Sequence, residues 1–193
     1  MNTKEKIISV ALRLYNKHGI RTVTTRHIAQ EMAISAGNLH YHFKHTEDIV
    51  LRIFEQLQSE YDQMVIRFGQ NDAPFEELLD VFIEGSYRLI DKYTFIFVNF
   101  VEICAWIPAI AESYKRLVAR REQQFMVLFE HYTDAGVFRS NIPASVWRGF
   151  VRQIFIVSDF WCSSFTVLGG RYEMDALSDY RQTIKVAFYP YLA

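Results

Sequence analysis

Residues 24–44 read TTRHIAQEMAISAGNLHYHFK, and the spacing within this stretch decides the fold. Thr24 stands where an N-cap oxygen accepts a hydrogen bond from the backbone N–H of residue 26 or 27, and Val23 before it staples onto Ile28 inside the helix. Eleven residues later Ser35 repeats the cap, with Ile34 before it and Leu39 at the matching interior position. Two capped starts this close leave room only for short helices. In the first, Ile28, Ala29 and Met32 fall on one face; in the second, Leu39 and Phe43 do the same. The two faces pack on each other, Ala29 being small enough for a close crossing, and Ala33 with Ile34 makes the bend. This is the layout of a helix-turn-helix.

Ala36, Gly37, Asn38, His40 and Tyr41 are left facing outward on the second helix, small residues and hydrogen-bonding rings without an acidic group. A helix of about seven residues is roughly 10 Å long and fits a major groove about 12 Å wide. Around it stand groups suited to phosphate oxygens: Thr25 and Arg26 before it, Tyr41 and His42 at its end, then Lys44 and Thr46. With the cap Ser35, these residues form the expected DNA-binding set. His40 and His42, two residues apart, point to different sides of a helix and do not share an ion. No metal and no cofactor is expected.

The run Thr24-Thr25-Arg26-His27-Ile28-Ala29, then Ile34-Ser35, then Gly37 to Lys44, resembles the N-terminal signature of TetR-family transcriptional regulators, and the likeness extends from Ile7 to Leu51. One departure is Ala33, where such sequences often carry glycine; a left-handed alanine there costs about 1 kcal/mol. The resemblance carries the recognition pattern over to Ala36, Gly37, His40, Tyr41 and His42. It also implies a ligand-binding body that releases DNA when a small molecule enters, and a dimer made by the last two long helices.

Composition agrees with a two-part chain. Half of the 193 residues are hydrophobic and 16% are aromatic, enough for a broad core. The net charge of −1 hides an asymmetry, since residues 1–52 carry eight Lys/Arg against four acids, a net of +4, and the rest carries −5. A basic head on an acidic body is the pattern of a phosphate-binding module joined to one that does not bind nucleic acid. Cys104 and Cys162 have no ligand spacing and read as small buried hydrophobes of a reducing cytosol. The start, MNTKEKII, lacks the apolar core of a signal peptide, and Asn99, Glu102 and Pro108 interrupt the most lipid-like run. A cytoplasmic protein without a membrane partner is expected.

The pattern predicts an all-α chain of about nine helices, with residues 1–46 as the DNA-binding domain and 47–193 as an effector-binding and dimerisation domain. Asn2 and Glu5 form a capping box on the first helix, which ends at Gly19. Thr46-Glu47-Asp48 opens a long helix whose buried stripe is Ile49, Ile53, Leu57, Tyr61, Met64 and Phe68. Gly69 to Asp72 breaks it, and Asp72 with Pro74 opens the next, to about Asp91. Thr94 caps one apolar helix to Trp106. Pro108 starts a helix to Gly136 whose outer face carries Arg116, Arg120, Arg121 and Glu122. Two more run over Val146–Leu168 and from about Glu173 to Tyr189. These last two offer more apolar surface than one neighbour needs, and pairing with a second copy buries it.

No nucleophile elbow, P-loop, dinucleotide or zinc motif is present, so catalysis is not expected. Polar residues set among aromatics point instead to a small-molecule cavity. Its expected lining is Tyr87, Asn99, Glu102, Trp106, Tyr114, Phe125, Phe155 and Asp159, with Arg152 and Asp159 either lining it or forming a surface pair. The function expected is a ligand-responsive repressor that binds a palindromic operator in double-stranded DNA as a homodimer and takes a small hydrophobic or aromatic effector. An activator of the same fold is an alternative, as is a helical binding protein or enzyme whose head no longer reads DNA.

Overall fold

The computed structural model describes residues 2–69, 73–170 and 175–193, with side chains of residues 67–69 excepted. Among them the chain forms ten α-helices: α1 Thr3–His18, α2 Thr25–Glu31, α3 Ala36–His42, α4 Thr46–Gly69, α5 Phe75–Lys92, α6 Thr94–Val98, α7 Phe100–Trp106, α8 Pro108–Asp134, α9 Ala144–Val167 and α10 Ala176–Phe188. A 3-10 turn follows at Tyr189–Tyr191, and a single antiparallel bridge joins Phe138 to Leu192. The Phe68 side chain, the break over residues 70–72 with its Asp72 cap, and the expected start at Glu173 lie outside the described residues.

Local chemistry sets the head. Asn2 accepts from the Glu5 N–H at 2.9 Å while the Glu5 carboxylate accepts from the Asn2 N–H at 2.8 Å, closing the box expected there. Gly19, at φ +81°, ends α1. Thr24 accepts from the His27 N–H at 3.4 Å, and Ser35 accepts from the Asn38 N–H at 3.1 Å. Between these two caps Ala33 takes φ +53°, the left-handed turn that glycine would adopt without strain. Ile28, Ala29 and Leu39 are buried together, as their spacing requires.

Three expectations for the body change. The segment to Trp106 is two helices rather than one, because the Asn99 amide donates to the Phe95 carbonyl at 2.7 Å and competes with the helical ladder. Thr94 does not cap; its hydroxyl donates backward to the carbonyls of Ile90 and Asp91 at 3.1 and 2.7 Å. Arg121 is not on an outer face. It is 1% exposed, paired with Asp62 of α4, and its guanidinium lies 5.2 Å from the centre of the Tyr61 ring.

Two hydrophobic clusters share α4. The first joins α1–α3 and the N-terminal half of α4 to Tyr93, Phe95, Ile96, Ile103 and Ile110, so the core of the head continues into α6, α7 and the start of α8. The second gathers α5, α8, α9 and α10 around Phe75, Phe129, Phe138 and Phe150. Tyr61, Phe97 and Tyr114 pack against both clusters and mark the seam between them. Burial of this apolar surface is the dominant favourable term in folding, at about 25 cal/mol per Å².

Candidate nucleic-acid interface and enclosed cavity

The helix-turn-helix presents α3 with only Leu39 of its seven residues buried. Ala36, Gly37, Asn38 and His40 are exposed, and the large ring of Tyr41 is 85% exposed. Its neighbour His42 is half-buried and meets the Tyr41 ring edge-on at 5.2 Å. Arg26 and Lys44 are exposed on either side, while Thr25 and Thr46 are half-buried in the first turns of α2 and α4. Ser35 is exposed, and its hydroxyl oxygen accepts the Asn38 N–H. The sequence-derived DNA-contact candidates therefore lie on α2, on α3 with its N-cap Ser35, or between the end of α3 and the first turn of α4. An ion pair between Arg13 and Glu31 at 2.6 Å ties α1 to α2 behind them.

The head is fastened to the body at several points. Asn16 of α1 donates to the Lys92 carbonyl at 2.9 Å and accepts from the Phe95 N–H at 3.1 Å. Arg21, in the loop after α1, meets Glu102 of α7 at 2.7 Å, and the Trp106 indole donates to Glu47 at 3.1 Å. Glu102 and Trp106, expected in the cavity, thus sit at the joint between head and body.

A cavity of about 70 Å³ lies at the seam of the two cores. Phe54, Leu57, Gln58 and Tyr61 of α4 form one wall, and the others come from α5, α6, α7, α8, α9 and Tyr180 of α10. Of the eight expected lining residues, Tyr114, Phe125, Phe155 and Asp159 line it. Tyr87 packs instead on the rings of Trp161 and Tyr180 at 6.1 Å each, and Asn99 is spent on the helix break. Arg152 is exposed on α9, away from Asp159, so the two do not form a pair. Tyr61, Ser86, Ser158 and Tyr180 were missed as lining. Ser86 interrupting the apolar stripe of Phe82, Ile83 and Ile90 was the available signal.

The polar groups of the cavity are few. The Tyr180 hydroxyl lies within hydrogen-bond distance of the Ser86 hydroxyl at 3.1 Å and the Ser158 hydroxyl at 3.3 Å, with one proton to give between them, and Ser86 donates onward to the Phe82 carbonyl at 2.8 Å. Gln58 accepts from the Ser113 hydroxyl at 2.9 Å. The Tyr114 hydroxyl donates to the Asp159 carboxylate. Burial pushes the Asp159 carboxyl up to about 6, against the opposing pull of the Tyr114 hydrogen bond. Burial, followed by the neighbouring Asp159, raises the Tyr114 phenol, and burial raises Tyr61 and Tyr180, so all three stay protonated.

Much of the apolar surface expected for dimer contact is used inside the chain: Phe150, Ile154, Trp161, Cys162, Tyr180, Ile184 and Phe188 are buried. Among the described residues, what α9 and α10 leave outside is Val146, Ile156, Phe160, Val167 and Val186, with Leu168 and Tyr189 just past their ends.

Residues 7–53 match the profile of bacterial regulatory proteins of the tetR family, and residues 56–193 match a further profile, described as bacterial transcriptional repressor and also named TetR. The chain belongs to the TetR family. TetR-family proteins are transcriptional regulators rather than enzymes. Over 63 residues the chain is 40% identical to the HTH-type transcriptional regulator QacR of Staphylococcus aureus, a match that covers 33% of this chain and 34% of that protein. The HTH-type transcriptional regulator AcrR of Shigella flexneri is 27% identical over 163 residues, 77% of this chain and 74% of its own length. The crystal structure of a TetR-family transcriptional regulator from Marinobacter aquaeolei VT8 superposes with a TM-score of 0.82 at 25% identity, over 100% of this chain and 92% of that one. No helix among the described residues is long and apolar enough to cross a membrane.

Proposed function

We propose that this TetR-family chain is an effector-responsive repressor that acts in the cytoplasm, binding a palindromic operator as a homodimer. Residues 1–46 read DNA, with His40 and Tyr41 reaching base edges. Arg26 and Lys44 meet phosphates, together with Thr25, His42 and Thr46. Residues 47–193 bind the effector, and the exposed apolar surface along α9 and α10 meets its copy across a two-fold axis.

The observation that carries this reading is the double membership of α4. Its first turns, through Ile49, Val50 and Ile53, belong to the core of the head, while Phe54, Leu57, Gln58 and Tyr61 wall the cavity. The cavity is small as it stands, so an effector that enters must press on its walls, and α4 is one of them. Displacing α4 moves each head and changes the separation of the two α3 helices, which on a palindrome are about 34 Å apart or a longer multiple of the helical turn. A differential affinity of about 1–3 kcal/mol between the two arrangements regulates binding.

The test is selection of sites from a random duplex pool with the purified protein, then a salt titration on the enriched sequence. An enriched palindrome whose affinity falls steeply with salt, through release of counterions from the phosphates, is the expected result. Absence of enrichment at low salt would remove DNA reading and leave the cavity as the working site.

A further inference from the structure

Asp159 is a carboxylate enclosed in the body, and no cation among the described residues pairs with it. Every element packed around it presents neutral or acid groups: Tyr61 from α4, Tyr114 from α8, Tyr180 from α10, and Cys104 from α7. The one buried cation among the described residues, Arg121, is committed to Asp62 and Gln124, has its guanidinium over the Tyr61 ring and does not line the cavity. Among the described residues only Tyr114 donates to the Asp159 carboxylate, a group that accommodates about four acceptor contacts. Buried charges in proteins are paired or neutralised by a proton, and one left with neither marks a site that receives its partner from outside.

The walls facing it suit the same partner. Rings of Tyr61, Phe100, Tyr114 and Phe155 surround the space, and ring faces attract a desolvated cation. An anionic ligand would meet like charge, and a neutral one would leave the carboxylate unpaired.

We propose that the effector of this cavity is an organic cation, a protonated amine or quaternary ammonium on a compact apolar or aromatic body, whose charge is met by Asp159. The inference rests on the reading of the cavity as the effector site and names the class of ligand it takes. Asp159 is the specificity-determining group: its free oxygen accepts from an ammonium N–H, or lies against the methyl groups of a quaternary head, while the rings hold the body.

The test uses the full-length protein and three probes of one shape, benzylamine, benzyl alcohol and benzoate, with binding followed by calorimetry at pH 7.5. Benzylamine is expected to bind about 10- to 100-fold tighter than benzyl alcohol, the ratio given by a hydrogen bond to a charged group, and benzoate is expected not to bind. The preference should vanish in Asp159→Asn and persist in Asp159→Glu, which keeps the charge. Retained benzyl alcohol binding by Asp159→Asn shows that the variant is folded. In the wild type, benzylamine affinity should decline as pH falls below about 6, where the carboxylate takes up its proton, while benzyl alcohol affinity stays level. Equal affinity for amine and alcohol, or an amine preference that survives in Asp159→Asn, would overturn the cation assignment while leaving an effector cavity in place. Failure of all three probes to bind at millimolar concentration would overturn both.

Discussion

The Trp106 indole at the end of α7 donates to the Glu47 carboxylate in the first turn of α4, 3.1 Å away. Alongside it Arg21 meets Glu102 at 2.7 Å. Both contacts join the body to the part of the chain that carries α3, and both are solvent-facing. Exposed ion pairs are worth about 0–1 kcal/mol. Arg21→Ala combined with Trp106→Phe is therefore expected to change the unfolding free energy by no more than about 1–2 kcal/mol. Its main effect should fall on coupling: the ratio of operator affinities without and with saturating effector should shrink. Operator titrations at both extremes of effector concentration measure that ratio.

His40 is exposed on α3 and has no role in the core, so its removal reports on DNA alone. His40→Ala is expected to cost about 1–3 kcal/mol on the selected operator, the worth of a base contact, and little on random duplex. Equal losses on both would move His40 to the phosphate-binding group.

Asp159 makes stability depend on pH. Its carboxyl titrates near 3.8 in an unfolded chain and at about 6 when folded, so between these values the folded protein holds a proton that the unfolded chain has lost. Stability should therefore fall as pH rises from about 4 to about 6 and then level off, by at most about 3 kcal/mol at roughly 1.4 kcal/mol per unit. Asp159→Asn, which keeps an acceptor for Tyr114 and has no charge to bury, is expected to melt at a higher temperature than wild type at pH 7.5. The difference between the two should close by pH 4. Melting curves across that range decide it.

Arg121 is buried with Asp62 as its ion partner, and its Nε finds no acceptor among the described residues. Burial also lowers the guanidinium's hold on its proton, with Asp62 opposing. Arg121→Ala leaves Asp62 without this partner and should destabilise by about 3 kcal/mol, the low end for a broken buried pair because Asp62 keeps some solvent and a second partner in Arg120. Arg121→Met, which keeps an apolar side chain of similar length in the buried position, should lose less. Urea unfolding of the two variants makes the comparison.

Ala33 sits at φ +53° in the turn of the helix-turn-helix. Ala33→Gly relieves that strain of about 1 kcal/mol while adding about 0.4–1 kcal/mol of unfolded-state entropy, and a small net gain of up to about 0.5 kcal/mol is expected. A rise in melting temperature without a change in denaturant slope would establish it.

The sequence by itself determined the head and the helical class, because the signals involved act over a few residues. Asn2 with Glu5, Thr24 with His27 and Ser35 with Asn38 are all three residues apart, and each pair sets a helix start without help from the rest of the chain. Four of the eight expected lining residues, Tyr114, Phe125, Phe155 and Asp159, were legible for a weaker reason, that aromatics and an isolated acid in a broad helical core tend to meet. Tertiary structure alone decided the rest. Arg121 reads as a surface residue until Asp62 is brought to it from 59 positions away, and Glu47 reaches Trp106 across the same separation. Tyr114 and Asp159 are 45 residues apart on different helices. Helix periodicity tells which residues share a face, but which helix that face meets, and at what height, follows from packing two cores against one shared α4.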